Sequence, residues 1–228
     1  MKQTYDTLRD YYKRCFSLVD CIHFNSNHTK ECYEKHLYHA SGIVLPITHG
    51  GIKDNRKKKD FNRDCLKLGF IGSSTFYKGL PLLIEALKEV GRYDKWILNV
   101  WGNRIGQDST MPIYYLGKFN PCDIELVYAN MDVMIVPSQC HETFSLVTLE
   151  ALSFGVPVLV SSTVGAQDIV KEYNEKFVFS SKAELIKLLM QLIYDRSLLT
   201  EYNEKIIKQL WRHNMKQHAL EIIEKIYK

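Results

Sequence analysis

Short apolar runs alternate with longer amphipathic segments through the middle of the chain. The runs lie at 66–72, 96–102, 113–117, 132–136 and 158–160, and their continuous apolar character is typical of strands buried on both faces. In the segments between them apolar residues recur three or four positions apart, as in Leu80, Leu83 and Leu87, which predicts amphipathic helices. This regular alternation of strand and helix predicts an α/β fold in which helices cover both faces of a parallel sheet.

The two ends of the chain add further elements. Helical spacing and β-rich runs predict a helix at 2–16, a strand at 18–24, a helix at 28–37 and a strand at 42–47. Helices are also predicted at 122–131, 181–195 and 197–209. A last helix is expected to open at Trp211, with an apolar side made of Ala219, Ile222, Ile223 and Ile226.

A polar segment at 53–64, rich in lysine and arginine, divides this pattern. It could contact anionic lipid headgroups, but a solvated basic linker is the favoured interpretation. We therefore predict a leading segment (1–52), the linker (53–64) and a main domain (65–228).

The composition argues against several classes of protein. Of the 228 residues, 46% are hydrophobic and 25% charged, as in ordinary globular proteins. No apolar run approaches the roughly 20 residues that span a bilayer, and residues 1–6 lack the apolar core of a signal peptide. The six cysteines lie far apart without a Cys-x-x-Cys pair, which favours reduced thiols and a cytoplasmic location. The net charge of +4 does not indicate nucleic-acid binding.

Histidines concentrate near the N-terminus and raise the question of a metal site. They are His23, His28, His36, His39 and His49, with Cys32 one helical turn before His36. Lys, Glu and Tyr residues surround them, and no quartet with zinc-ligand spacing emerges. Ordinary surface histidines are the favoured interpretation, so no metal site is predicted.

The stretch from Met134 to Val160 carries the clearest candidate chemistry. An apolar strand ends at Pro137, a polar loop follows, a helix begins near Ser145, and a Gly-Val-Pro sequence stops it before the next strand. Glu142 lies in the loop and Glu150 inside the helix. Free amides at a helix N-terminus attract phosphate, and carboxylates accept hydrogen bonds from sugar hydroxyls, so the junction suits a sugar nucleotide. Alternatively, both glutamates are ordinary helix-favouring, solvated acids.

A family resemblance extends this interpretation. His141-Glu142-Thr143-Phe144-Ser145-Leu146-Val147-Thr148-Leu149-Glu150-Ala151-Leu152, followed by Gly155-Val156-Pro157-Val158, resembles the Glu-x7-Glu motif of retaining glycosyltransferases, with seven residues between the glutamates. The nearest resemblance is to family 4 (glycosyl transferases group 1), which has the GT-B fold of two Rossmann-like domains. It covers most of 42–228 and is strongest over 132–158, and it implies the C-terminal, donor-binding half of such an enzyme.

The resemblance implies roles for particular residues. Glu142 and Lys78 would be catalytic, with Glu142 on the hydroxyls of the transferred sugar and Lys78 on the donor diphosphate. Glu150 would bind the ribose. Further donor-binding residues would be Gly72, Ser73, Ser74, Asn103, Lys118, Phe119, Thr143, Phe144, Ser145 and Leu146. Ser73 stands where the family commonly has an arginine, which leaves one positive charge fewer, and Gly165 and Asp168 match a Gly-Gly…Glu pattern in part.

The same resemblance implies the reaction and the partners. A sugar would pass from a nucleotide-diphosphate sugar to a glycan or lipid-linked acceptor with retention, without metal or other cofactor. Only about fifty residues precede the linker, whereas a Rossmann-like domain needs on the order of 150. Either the chain is part of a longer one or a partner chain supplies the acceptor-binding half. Two alternatives stay open: a non-catalytic nucleotide-sugar-binding or assembly subunit, and a relative such as a sugar-nucleotide 2-epimerase. Peripheral contact with the inner face of a membrane is also left open.

Overall fold

A computed structural model describes residues 2–36 and 42–227 of the chain. The helices are α1 (Lys2–Ser17), α2 (Asn27–Glu34), α3 (Leu80–Val90), α4 (Ile124–Ala129), α5 (Leu146–Ser153), α6 (Gln167–Asn174), α7 (Lys182–Tyr194), α8 (Ser197–Lys208) and α9 (Met215–Ile226). The strands are β1 (Ile22–Phe24), β2 (Gly42–Val44), β3 (Leu66–Ile71), β4 (Trp96–Trp101), β5 (Ile105–Gln107), β6 (Ile113–Gly117), β7 (Val133–Val136), β8 (Val158–Ser161) and β9 (Val178–Phe179). Short 3₁₀ turns lie at Phe76–Lys78, Pro121–Asp123 and Glu175–Phe177.

Within the described residues, the central sheet has seven strands in the order β5-β6-β4-β3-β7-β8-β9. All neighbours are parallel except β5 and β6. Every residue of β7 and β8 is buried, which is why these strands read as unbroken apolar runs. The predicted α/β fold, a mostly parallel sheet flanked by helices, is confirmed.

The order of the strands creates a crevice at the centre of the sheet. From β3 the chain proceeds outward through β4 to β6, and it then returns to place β7 on the other side of β3. The loops that follow β3 and β7 therefore diverge from the same edge, at a topological switch point where open α/β sheets bind ligands.

Gly79 allows these two loops to approach closely. Its φ of +76° is a left-handed conformation that L side chains rarely adopt, and a Cβ atom there would lie 1.8 Å from the Pro137 carbonyl oxygen. Gly79 directly follows Lys78, so this contact also fixes the position of that lysine beside the end of β7.

The leading segment forms a small unit beside the sheet. β1 and β2 pair in parallel, and Ser26 caps α2 by accepting a hydrogen bond from the Thr29 amide. The Ser26 and Thr29 hydroxyls both donate to the Thr143 carbonyl, at 2.9 Å each. The segment is thereby held against the loop that carries Glu142.

Several predicted boundaries in the leading segment were wrong. β1 begins at Ile22 rather than residue 18, because Leu18 and Val19 form a turn bonded to the end of α1 and remain exposed. α2 ends at Glu34 instead of continuing to Leu37, which, like His39, lies outside the described residues. β2 ends at Val44 rather than residue 47, and Pro46 has no amide to continue a strand ladder.

The predicted start of the last helix was also wrong. α9 begins at Met215, where Asn214 accepts a hydrogen bond from the Gln217 amide. Trp211 instead lies buried in the preceding loop, with the Arg56 guanidinium 5.2 Å from its ring centroid. The sequence gives little sign of this contact, since Arg56 is far away in the chain.

Residues 53–64 have no helix or strand and lie along the main domain. Phe61 is buried in the core. The buried Asn203 side chain donates to the Gly155 and Lys57 carbonyls, at 2.6 and 3.2 Å, and accepts from the Lys59 amide. These bonds tie the basic segment to α8, although the division of the chain into domains stays a prediction.

The first and last helices expose apolar side chains. On α1, Tyr5, Leu8, Tyr11 and Tyr12 are all exposed. No residue of α9 is fully buried, and Ile223 on its expected apolar side is exposed. Among the described residues, no helix combines the length and apolar character needed to cross a membrane.

Candidate functional site

Lys78 and Glu142 meet at the switch point. The Lys78 ammonium lies 2.9 Å from Glu142 Oε1, and the buried Ser138 hydroxyl donates to the same oxygen. Lys78 is set by the 3₁₀ turn after β3, and Glu142 and Ser138 lie in the loop after β7 (137–145), which we call the Glu142 loop. The sequence predicted Lys78 and Glu142 as separate site residues, and the structure shows that they form an ion pair.

Little free space surrounds this pair. The cavity lined by Lys78, Ser138, Glu142 and Ser145 has a volume of about 20 Å³. That is enough for about one water molecule and far too little for a sugar. A larger ligand can therefore enter this cavity only if the ion pair separates or the Glu142 loop moves, whereas the Lys78 side chain, which is 43% exposed, is also accessible from solvent.

The Glu142 loop is fixed from the other side by the turn after β8. The Glu142 amide donates to the Thr163 carbonyl at 3.0 Å, and the Gly165 amide donates to the Glu142 carbonyl at 2.9 Å. A Cβ atom on Gly165 would lie 2.2 Å from the Thr143 carbonyl oxygen, so only glycine fits. The backbone of the loop is thus held rigidly while the Glu142 carboxylate faces Lys78.

The junction between the loop and α5 is strained. Ser145 has φ of 115° and ψ of 90°, which is rare for a residue with a side chain. The Thr148 hydroxyl donates to the Ser145 hydroxyl at 3.0 Å. Phe144 anchors the turn in the core, whereas Leu146 and Thr143 are exposed. The Thr148 amide donates to the Ser145 carbonyl at 3.2 Å, and the two helical amides before it, at Leu146 and Val147, come too early in the helix to find an acceptor in a preceding turn.

Glu150 is held by two partners. Tyr128 donates its hydroxyl hydrogen to Glu150 Oε2 at 2.9 Å, and His49 Nε2 lies 3.3 Å from Glu150 Oε1. Burial, followed by the Glu150 charge, raises the pKa of Tyr128 well above its usual value, so the phenol remains a donor. Glu150 is therefore a positioned acceptor and not a freely solvated helix residue.

The remaining predicted donor-binding residues follow other parallel strands at the same edge. Gly72, Ser73 and Ser74 follow β3, Asn103 follows β4, and Lys118 and Phe119 follow β6. The Ser73 hydroxyl lies 3.1 Å from the Thr75 hydroxyl, and Asn103 and Lys118 are exposed. Phe119 is partly buried against the core, in agreement with a packing role.

Three chemically reactive side chains gather on the other flank of the Glu142 loop. His28 and Cys32 of α2 lie beside His141, with His28 Nε2 2.8 Å from His141 Nδ1. Burial, and then the neighbouring His141, lower the pKa of His28 below its ordinary value. The other predicted histidines are elsewhere: His23 bonds to the Leu45 carbonyl, His49 contacts Glu150, and His36 is exposed.

The sequence did not indicate the partners that hold the two glutamates. Tyr128 and Thr163 carry no distinguishing pattern, since tyrosine and threonine are common everywhere. Ser138 alone offered a signal, because it lies four residues before Glu142 at the carboxyl end of a predicted strand.

Comparisons with known proteins agree with this geometry. The family "Glycosyl transferases group 1" matches residues 51–209, more than half of the chain. An uncharacterized glycosyltransferase of Methanocaldococcus jannaschii (MJ1607) is 30% identical over 128 residues, which are 51% of this chain and 33% of that protein. The chain thus spans about a third of the length of that relative.

Solved structures share the fold. Anabaena Alr3699/HepE, in complex with UDP and glucose, superposes with a TM-score of 0.74 at 16% identity, over 96% of this chain and 66% of that one. Sucrose-phosphate synthase of Thermosynechococcus elongatus gives a TM-score of 0.72 at 17% identity, over 96% of this chain and 60% of that one. The predicted resemblance to glycosyl transferases group 1 is confirmed, and the chain belongs to that family.

Proposed function

We propose that this chain is the donor-binding half of a retaining glycosyltransferase, which takes a sugar from a nucleotide-diphosphate donor to a glycan or lipid-linked acceptor. The observation that carries the proposal is the Lys78–Glu142 ion pair at the switch point of the sheet. A cation and an anion that neutralise each other here can be separated by a ligand that offers both a diphosphate and sugar hydroxyls.

The two charged groups have complementary tasks in this proposal. Lys78 and the amides at the start of α5 bind the diphosphate, and they stabilise the negative charge that grows on it as the bond to the sugar breaks. The Glu142 carboxylate accepts hydrogen bonds from the sugar hydroxyls, while Ser138 keeps the carboxylate in place. The bond electrons leave with the diphosphate, the acceptor oxygen bonds to the same face of the sugar carbon, and the acceptor proton passes to the departing diphosphate.

Glu150 binds the ribose in this arrangement. The Tyr128 hydroxyl donates to Glu150 Oε2 at 2.9 Å. The contact between His49 Nε2 and Glu150 Oε1 is longer, at 3.3 Å, and is therefore the weaker of the two. A ribose hydroxyl that approaches Oε1 would replace or share the histidine contact.

In this proposal the acceptor binds to a part of the enzyme other than this domain. The exposed apolar faces of α1 and α9 fit a second domain, in the same protein or on a partner chain, that contributes acceptor contacts.

The first test is nucleotide binding. Thermal unfolding with UDP, GDP and ADP is expected to reveal stabilisation by one of them, because a ligand that binds only the folded state raises its stability. Lys78→Ala is expected to weaken this binding by about tenfold or more, since a charged hydrogen bond contributes about 1.5–3 kcal/mol. Lys88→Ala, an exposed lysine on α3, serves as the matched control. Equal stabilisation of wild type and Lys78→Ala, or none at millimolar nucleotide, would contradict the proposal.

Tyr128→Phe tests the orientation of Glu150. The variant keeps the ring stacked on Phe154, at 5.1 Å between centroids, and removes only the hydrogen bond to the carboxylate. We expect nucleotide affinity to fall about three- to tenfold, in keeping with one hydrogen bond of about 1 kcal/mol. Titration calorimetry measures the change, and Tyr194→Phe, an exposed tyrosine, should leave affinity unaltered. Unchanged affinity in Tyr128→Phe would remove Glu150 from the binding site.

A further inference from the structure

We propose that His28, Cys32 and His141 form a binding site for a divalent transition-metal ion, best suited to Zn²⁺. One ligand atom from each residue lies within 4.8 Å of the others. Two imidazoles and a thiolate are a donor set that zinc favours, whereas magnesium and calcium prefer oxygen ligands.

The local structure explains why these side chains meet. His28 and Cys32 are four residues apart on α2 and so lie on one face of the helix. Ser26 and Thr29 hold the start of α2 against the Thr143 carbonyl, two residues after His141. The hydrogen bonds that seat α2 thus also bring His28 and Cys32 to the Glu142 loop.

The distances are close to those of a metal site. His28 Nε2 lies 2.8 Å from His141 Nδ1 and 3.9 Å from Cys32 Sγ. Ligand atoms at the usual zinc distances of about 2.0–2.3 Å in a tetrahedron are about 3.3–3.7 Å apart. Small side-chain rotations would therefore open the His28–His141 contact and admit the ion.

The observed arrangement has an ordinary explanation as a hydrogen bond between the two imidazoles, whose ring centroids lie 4.9 Å apart. In that bond one ring donates and the other accepts. A metal ion requires a lone pair from both nitrogens, so the donating ring must carry its proton on its other nitrogen, and Cys32 loses its thiol proton to solvent when the ion binds.

The surroundings are compatible with a cation. Glu31 and Asp168 are the acidic groups near His28, and Lys35 is the opposing positive charge. Asp168 Oδ2 already accepts from the Asn27 amide at 2.8 Å and so helps to fix α2. His141 is exposed, which leaves room for water to complete the tetrahedron.

The site would act on the neighbouring Glu142 loop. An ion bound by α2 and His141 joins the leading segment to the residue just before Glu142, and so restricts the movement that separates Glu142 from Lys78. Lys78 and Glu142 are not ligands, and the ion takes no part in breaking the bond to the sugar. Metal binding and nucleotide binding can therefore be measured separately.

Cobalt substitution tests the site directly. Titration of the reduced, metal-free full chain with Co²⁺ is expected to produce a near-ultraviolet thiolate-to-cobalt band and visible bands of a tetrahedral ion, saturating at one equivalent. Zn²⁺ should displace the cobalt and abolish the absorption. Cys32→Ser should lose the near-ultraviolet band, and His141→Ala should weaken cobalt affinity at least about tenfold.

Matched variants distinguish the site from adventitious binding. Cys122→Ser, at an exposed cysteine, and His218→Ala, on α9, should retain the complete spectrum and affinity. Circular dichroism confirms that each variant is folded. Absence of the thiolate band in wild type, or its persistence in Cys32→Ser, would overturn the proposal even if nucleotide binding is normal.

Discussion

Glu142→Gln is expected to slow hydrolysis or transfer of the donor sugar by about 10²–10³-fold, as removal of one preorganised group at a reacting centre typically does. The same variant should bind the free nucleoside diphosphate three- to tenfold more tightly, roughly the worth of a partly buried ion pair. The reason lies in the ion pair, in which Glu142 Oε1 lies 2.9 Å from the Lys78 ammonium and so competes with a phosphate for it. Neutralising the carboxylate frees Lys78 for phosphate while removing the acceptor for sugar hydroxyls.

Calorimetry with the nucleoside diphosphate and with the nucleotide sugar separates these two effects. The wild type should prefer the nucleotide sugar, and Glu142→Gln should lose that preference. Glu125→Gln is the control, because Glu125 forms an ion pair with Lys57 at 2.6 Å but lies exposed on α4. The contrary outcome is that Glu142→Gln weakens binding of the free nucleoside diphosphate as much as Lys78→Ala does. In that case the pair is a structural salt bridge, and the proposed division of tasks between Lys78 and Glu142 is wrong.

The sheet was predictable from sequence because strands that are buried on both faces consist of almost only apolar residues. β7 and β8 read as continuous apolar runs for this reason, and the Gly155-Val156-Pro157 stop located the end of α5 to within two residues. Short elements at the periphery were less predictable. Leu18 and Val19 resemble the start of a strand, yet exposure and a turn bonded to α1 decide their conformation.

The meeting of Lys78 and Glu142 follows from the topology once strand order is known. Both residues come after parallel strands, and β3 and β7 are neighbours. Sequence alone gives the first fact and not the second, because strand order depends on long-range packing. The contact of His141 with His28 had even less signal, since the two residues are 113 positions apart.

Ser145 marks a place where local preference and structure disagree. Its φ of 115° would suit glycine, yet the chain keeps a side chain whose hydroxyl accepts from Thr148. Strain of this kind costs on the order of 1–3 kcal/mol and persists where the surroundings over-determine the backbone. Here the backbone is held on the N-terminal side of Ser145 by Phe144, which is buried in the core, and by the hydrogen bond from the Ser26 hydroxyl to the Thr143 carbonyl.

Gly79→Ala is expected to lower the free energy of unfolding by about 3 kcal/mol or more. Part of the loss, about 1 kcal/mol, comes from placing a side chain at φ +76°. The larger part comes from the Cβ atom, which would lie 1.8 Å from the Pro137 carbonyl oxygen. The obstacle is backbone at the end of a fully buried strand, so relief requires β7 or the start of α3 to shift.

Urea unfolding followed by tryptophan fluorescence measures the loss, and Gly91→Ala separates its two causes. Gly91 also has a positive φ, of +61°, but a Cβ atom there meets nothing within 4 Å. Gly91→Ala should therefore show a conformational cost alone, about 1–3 kcal/mol, because the ψ of Gly91, −135°, lies outside the left-handed helical region. A loss in Gly79→Ala no larger than the loss in Gly91→Ala would mean that the loops after β3 and β7 are not tightly apposed. The Lys78–Glu142 pair would then lack the fixed backbone that the proposed donor site requires, because Lys78 immediately precedes Gly79.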